Sequence, residues 1–402
     1  MPIGCGMTTL DHVEPRPMSY SRQWLDSADI EAVVAVLRDD WLTQGPMVAA
    51  FEQALARRCG ARFAVVVSSG TAALHLSCLA AGVGAGDVGI TSPITFVASA
   101  NCVAYCGGTP TFADVDPVTV TLDPIALRLA CARRPPKVII PVDFAGQCAD
   151  LPAIMEIARE FGALVIEDAA HALGASYTYN GREFRAGGCA HSDLAVLSFH
   201  PVKHIATGEG GAVLTNDAFL YRRLLDLRSH GITKDATRLT GCDGPWYYEQ
   251  HELGYNYRIT DFQCALGLSQ LAKLDAFVAR RRELVAVYKS LLADLDDRLT
   301  LLTESDQQCS SYHLMVARLA GGASERRRLY DFLHQQRIHA QVHYIPVHLQ
   351  PWYRDRFGTG PGDCPRAEAY YQECLSLPLA PMLTVSDLRR VSDAIHEFMA
   401  QR

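Results

Sequence analysis

The chain has 402 residues, of which 49% are hydrophobic and 20% charged, and its formal net charge is −7. That length accommodates two or three domains with a large core, and an acidic balance with no long basic run argues against a nucleic-acid or anionic-membrane surface. No stretch approaches roughly 18 uninterrupted apolar residues, so no membrane span is expected.

The start, MPIGCGMTTLDHVEPRP, has no apolar run after a basic segment, so it does not read as a secretory signal and a cytoplasmic location is expected. An N-terminal arm is predicted over residues 1–26. SADIEAVVAVLRDD then places Ile30, Val33, Val34 and Leu37 on one helical face, with Asp26 or Ser27 as its cap. From there apolar runs alternate with helical patterns. Phe63–Val67 (FAVVV) precedes a helix starting near Thr71, and Val88–Ser92 precedes one near Phe96. Val138–Val142 (VIIPV) leads to LPAIMEIAREFG, a helix stopped by Gly162, and then come Ala163–Asp168 (ALVIED) and Asp193–Phe199 (DLAVLSF). Continuously apolar strands alternating with helices predict an α/β fold with a mainly parallel sheet covered on both faces.

After about residue 258 the pattern changes. TDFQCALGLSQLAKLDAFVARRRELVAVYKSLL reads as a long helical stretch opened by a Thr260–Gln263 capping box, and the rest mixes helices with short strands such as Leu314–Leu319. The expected division is an arm over 1–26, a large domain over 27–258 and a smaller α+β domain over 259–402. Thirteen cysteines are scattered without a CxxC pair. Cys102 and Cys106 lack a second pair of ligands nearby, so no metal site is expected and reduced, packed thiols are.

In open parallel sheets, ligands bind beyond the carboxyl ends of the strands, and four features fall there. In SSGTAALHLS, residues 68–77, a strand passes directly into a helix and exposes the N–H groups of Gly70, Thr71 and Ala72, a ready phosphate site. A tight turn capped by Ser69 or Thr71 is an equal reading. In LVIEDAAHA, Asp168 ends an apolar strand, where a carboxylate needs several donors or a cation such as a protonated pyridine nitrogen. It could instead cap the next turn, and His171 reads either as a member of the site or as a satisfied core histidine.

In SFHPVKHIATGEGG, residues 198–211, Lys203 stands between an apolar strand and a glycine-rich turn. Desolvation and nearby positive charge would lower its pKa toward a nucleophilic amine that can hold an aldehyde, while a solvated turn lysine is the plain alternative. Ser198 can turn to the same phosphate. Phe96, in TSPITFVASAN, can stack on a flat cofactor or pack in the core. A phosphate cradle, an aspartate, a stacking ring and a lysine are together what pyridoxal 5′-phosphate (PLP) requires. GVGAGD, residues 82–87, lacks the GxGxxG spacing and precedes a strand, so it does not read as a dinucleotide loop.

Over most of its length the chain resembles the fold-type I, PLP-dependent sugar-nucleotide aminotransferases of the DegT family. The resemblance is carried by WLTQGP, TSPITFVASANC, PVDFAGQ, SFHPVKHIATGEGG, RSHGIT, GPWYYEQHELGYNYRITDFQCALGLSQL and VHYIPVHLQPWY. The FVASAN, SFHPVK, WYYEQ and HYIPVHLQPWY forms point to the subgroup that aminates C4 in pseudaminic acid biosynthesis. The resemblance implies that Lys203 holds the cofactor aldehyde and that Asp168 partners the ring nitrogen. It implies that Thr71, Ala72 and Ser198 bind the phosphate, that Phe96 stacks on the ring, and that His171, where many members have glutamine, lies near the ring hydroxyl. Asn256 would reach the phosphate of a neighbouring subunit, making the working unit a homodimer with shared sites. Tyr344, His348 and His230 are the implied sugar-nucleotide contacts. The implied partners are a UDP-linked 4-keto sugar and L-glutamate as donor. A D-configured or 3-keto sugar nucleotide is the alternative substrate, and a non-catalytic sugar-nucleotide binder of the same fold the alternative class.

Overall fold

Strands that bury both faces must be apolar throughout, and the runs of valine, isoleucine and leucine do form such a sheet. The structure, a computed structural model, describes residues 16–302 and 304–401, so the arm's residues 1–15 lie outside the described residues. Seven strands make the sheet in the order Phe63–Val67, Gly211–Thr215, Leu194–Ser198, Leu164–Asp168, Val138–Ile140, Val88–Thr91 and Thr109–Phe112. Every pairing is parallel except those of Gly211–Thr215, which runs antiparallel to both neighbours. A parallel return needs a long crossover, usually a helix. The 199–210 connection contains no helix, so the chain turns straight back and leaves Lys203 at the carboxyl end of the sheet.

Successive residues alternate between the two faces. Val66, Ile90, Ile139, Val165 and Leu197 join one buried cluster with the helices Pro46–Cys59 and Leu151–Phe161. Val65, Val67, Ile140, Ile166 and Val196 join another with Gly70–Ala80 and Ala218–Arg228. Each such side chain contributes roughly 1.5–3 kcal/mol by leaving water.

The predicted long helical stretch is two helices, Asp261–Ala272 and Leu274–Leu291, meeting at Lys273, and the Thr260–Gln263 box opens the first. They part because they serve different cores. The first packs on Pro46–Cys59 and Ser27–Leu37, whereas Leu284 and Tyr288 of the second pack on the C-terminal part of the chain. There Leu299–Leu301, Met315–Leu319 and Cys374–Leu377 form a three-stranded antiparallel sheet. Met18–Ser19 of the arm pairs in parallel with Ile338–His339.

The expected helix runs over Ser27–Leu37 and is capped by Asp26. Of its apolar stripe, Ile30 is 60% and Leu37 55% exposed and Val33 and Val34 are half-buried, while Asp29 and Val36 are buried. Lys273, Ser269 and Gln270 bind the Asp29 carboxylate on the side that faces Asp261–Ala272. Among the described residues no helix is long and apolar enough to cross a membrane. Among them also, no group of three or more His, Cys, Asp or Glu could hold a metal ion.

Gly45, at the start of Pro46–Cys59, has no side chain to cap that helix. Asp261 does so from across the fold, accepting the Gly45 N–H at 2.8 Å and the Met47 N–H at 3.0 Å while fully buried. Asp261→Ala should therefore destabilise the protein by about 1–3 kcal/mol in urea unfolding, with Asp261→Asn recovering part of the loss. An unchanged midpoint for the alanine variant would show that this cap does not support the fold.

Candidate active site

A cavity of about 500 Å³ opens at the carboxyl ends of the central strands, a size suited to a small cofactor with substrate. Its floor begins where Phe63–Val67 passes into Gly70–Ala80. Ser69 is the cap of that helix, and its Oγ accepts the Ala72 N–H at 3.0 Å. Ser69, Gly70 and Thr71 line the cavity, with Ser198 beside them. Ala72, the third residue expected at the phosphate, is not among the lining residues, and its N–H is donated to Ser69. The glycine-rich stretch makes this approach possible: a Cβ on Gly211 would stand 2.5 Å from the Ser69 carbonyl oxygen.

Asp168 closes the Leu164–Asp168 strand and is buried. Its Oδ2 accepts the Ser99 hydroxyl at 2.6 Å and its Oδ1 the Ala170 N–H at 3.2 Å, while Thr95 Oγ1 lies 2.7 Å from Ser99 Oγ. Burial pushes the Asp168 carboxyl above the usual carboxylate range, against the opposing pull of Ser99, Ala170 and the Lys203 charge. Lys203 lines the same cavity, its backbone N–H held by the His200 carbonyl at 2.8 Å. Desolvation lowers its amine from 10.5 to about 8, and only the Asp168 charge acts the other way. The plain alternative, a solvated turn lysine, is set aside.

Phe96 is 59% exposed at the cavity wall, which rules out the core-packing reading. His171 and Tyr344 line the opposite wall, with the Tyr344 hydroxyl 3.1 Å from His171 Nε2. His348 is not among them. It is fully buried, and its Nε2 lies 3.0 Å from Glu368 Oε1. His230 and Asn256 are exposed and lie outside the cavity of this chain. They belong to segments joined by a Ser229–Asn256 bridge and by the His230 N–H to the Tyr255 carbonyl at 2.9 Å.

Sequence reasoning missed Ser99, Thr95, His343 and Tyr20, all of which line the cavity. Thr95 and Ser99 carried a signal, two hydroxyls four positions apart just after a strand. Tyr20 carried none, because only the pairing of the arm with Ile338–His339 brings it there.

These groups fit a phosphorylated pyridine aldehyde. A weakly basic amine can take the aldehyde, and a buried carboxylate with spare acceptor capacity can meet a protonated ring nitrogen. A helix N-terminus beside a serine hydroxyl can hold the phosphate. The fold and the site together define a PLP-dependent enzyme of the α/β transferase type.

The family comparison makes this specific: the chain belongs to the DegT/DnrJ/EryC1/StrS aminotransferase family, whose profile matches residues 23–396. It is 37% identical over 385 residues to the spore coat polysaccharide biosynthesis protein SpsC of Bacillus subtilis, covering 95% of this chain and 97% of SpsC. Among solved structures it is similar to Helicobacter pylori PseC, an aminotransferase involved in pseudaminic acid biosynthesis. That match has a TM-score of 0.87 and 31% identity, and covers 96% of this chain and 100% of PseC. The PLP form of Spr1654 from Streptococcus pneumoniae matches with a TM-score of 0.87 and 27% identity, over 96% of this chain and 99% of that one. The protein is thus a PLP-dependent sugar aminotransferase.

An amine must be neutral to attack an aldehyde, so the rate of PLP capture by cofactor-free protein should rise with pH through a midpoint near 8. Stopped-flow absorbance at several pH values measures it. A midpoint near 10.5, the ordinary lysine value, would mean that Lys203 is not desolvated as described.

Proposed function

We propose that this enzyme transfers the amino group of L-glutamate to C4 of UDP-2-acetamido-2,6-dideoxy-β-L-arabino-hex-4-ulose. The product is UDP-4-amino-4,6-dideoxy-N-acetyl-β-L-altrosamine, a precursor in pseudaminic acid biosynthesis. The observation that carries this reading is the likeness to PseC across both full chains, together with the FVASAN, SFHPVK and HYIPVH forms of the lining segments.

When bound, the cofactor's protonated ring withdraws electrons from the carbon that carries the reacting nitrogen. The chain's part is to hold that ring and to move protons. Lys203 takes the aldehyde. When freed, its Nζ would remove the proton from the donor's α-carbon and return it at the carbon that holds the nitrogen, and water would then release the donor as its keto acid. With the keto sugar bound, the same amine runs this transfer in reverse. A pKa of about 8 suits a group that must both accept and donate near neutral pH. Asp168, fixed by Ser99 and Ala170, keeps the ring nitrogen protonated. Gly70, Thr71 and Ser198 hold the phosphate, with Ala72 acting through the Ser69 cap. Phe96 covers one face of the ring, and His171 meets the ring hydroxyl.

In this reading a large domain over 27–258 holds the cofactor, and a small one over 259–402, whose first helix docks on the large one, supplies Tyr344 to the sugar. A second copy supplies Asn256 to the phosphate and His230 to the nucleotide side, so the working unit is a cytoplasmic homodimer. The exposed Ile30 and Leu37 of Ser27–Leu37 support such a pairing.

The 37% identity to SpsC, a spore coat polysaccharide biosynthesis protein, exceeds the 31% to PseC, so a different sugar nucleotide, D-configured or 3-keto, is the second reading. Product analysis by NMR with both C5 epimers of the 4-keto sugar separates the two. Preferred turnover of the L-arabino epimer is expected, and equal or faster turnover of the D-configured epimer would overturn the first reading. Separately, Lys203→Ala should abolish the glutamate-driven loss of the visible cofactor band. Persistence of that change in the variant would remove Lys203 from its assigned role.

A further inference from the structure

Behind the cavity wall stand imidazoles for which the chemistry above has no use. The ring of His313 packs on that of His171 with 4.3 Å between centroids and a 46° tilt, and the His204 ring follows 5.6 Å from His313. All three side chains are buried. His204 Nε2 lies 3.1 Å from the Ser311 carbonyl, which can only accept, so this nitrogen carries the proton. His171 Nε2 meets the Tyr344 hydroxyl. The Nδ1 atoms of His171, His204 and His313 have no partner among the described residues.

The backbone goes to some length to place His313 there. Residues 310–313 turn against Ala145 and Gly146, with the Ser311 N–H donated to the Gly146 carbonyl at 3.0 Å and the Ser311 hydroxyl to the His171 carbonyl at 3.2 Å. Gly146 has φ +100°, and a Cβ on it would stand 2.6 Å from the Tyr312 nitrogen and 2.8 Å from that of His313. Tyr312 and Ala145 are themselves left-handed, at φ 47° and 58°. Each costs on the order of 1 kcal/mol or more, and such conformations persist only where the surroundings over-determine them. The buried Arg281 guanidinium binds the Tyr312 and His313 carbonyls at 3.2 and 3.3 Å and fixes the turn from behind.

We propose that His313 is a positioning residue: packed beneath His171, it holds that ring in one orientation, which keeps Nε2 on the Tyr344 hydroxyl and one fixed edge toward the cofactor. The inference rests on the reading of His171 as a cofactor-facing residue. The groups around His171 are Asp168 on its own segment, Lys203 and His204 on the 199–210 connection, His313, and His343 with Tyr344 after Ile338–His339. Burial lowers the basicity of His171 and His313 well below that of an ordinary histidine, and Lys203 with the neighbouring imidazoles acts in the same direction. A neutral imidazole presents one donor and one acceptor, so a ring that flips offers the ligand the wrong edge. Packing that locks the rotamer prevents this.

The test is NMR of the histidine ring nitrogens in the cofactor-free full chain. Wild-type His171 should show a single neutral tautomer from about pH 5 to 8. In His313→Leu it should become a tautomer mixture or titrate within that window, and His313→Phe, which keeps a packed ring, should restore the single form. In the PLP-loaded enzyme, His313→Leu should slow glutamate-driven conversion by about 10-fold with KM within about twofold. An unmoved His171 in His313→Leu overturns the proposal even if stability falls. If that variant does not fold, titration of His171 in His313→Phe overturns it equally. Failure of the cofactor reading would show separately, as wild-type protein that gains no visible absorption with PLP.

Discussion

A lysine amine and an aspartate carboxylate, both taken out of water at the ends of adjacent parallel strands, set the terms for the rest of this structure. Leu164–Asp168 and Leu194–Ser198 are neighbours in register, so Asp168 and the turn bearing Lys203 emerge on the same side. Desolvation raises the basicity of one and lowers that of the other. Neither shift is useful on a flexible surface. Each needs a rigid, dry support, which the continuously apolar strands beneath supply.

Much of the remaining architecture serves that pair. The sheet reverses direction once, at Gly211–Thr215, and this reversal replaces a crossover helix with the short turn that carries Lys203. The helix Gly70–Ala80 begins beside Ser198 because Gly211 has no side chain to keep Ser69 away. The cavity is then closed by parts distant in sequence. Tyr20 comes from the arm, and Tyr344 and His343 from the segment between Met315–Leu319 and Cys374–Leu377, with His313 packed behind His171 on the turn before Met315–Leu319. Two left-handed residues and one glycine let that last turn press against Ala145 and Gly146.

The site was legible in the sequence wherever one short segment contains both the strand and its functional end. Lys203, Asp168, Thr71 and Ser198 are of this kind: a continuously apolar run marks the strand, and the polar residues that follow it lie at its mouth. Residues whose role depends on packing between distant segments were not legible. His348 sits in the same HYIPVH stretch as Tyr344, yet the turn at Val347–Leu349 sends its ring inward to Glu368. Spacing alone does not separate two polar side chains four positions apart when one faces a cavity and the other a core.

The helix Ser27–Leu37 shows the same limit from the other side. Its periodicity identified the helix and its cap, but the apolar stripe did not identify the buried face. Asp29 pairs with Lys273, far away in sequence, and is buried together with Val36, while Ile30 and Leu37 stay exposed. By itself, then, the sequence determined the strand–helix alternation, the sheet class, the lysine and the aspartate, because these follow from local periodicity and from the cost of burying charge. Only the tertiary structure decided which strand runs backward, which histidines meet the cavity and what holds Asp168 and His171 in place. Those outcomes depend on contacts between segments that no local pattern encodes.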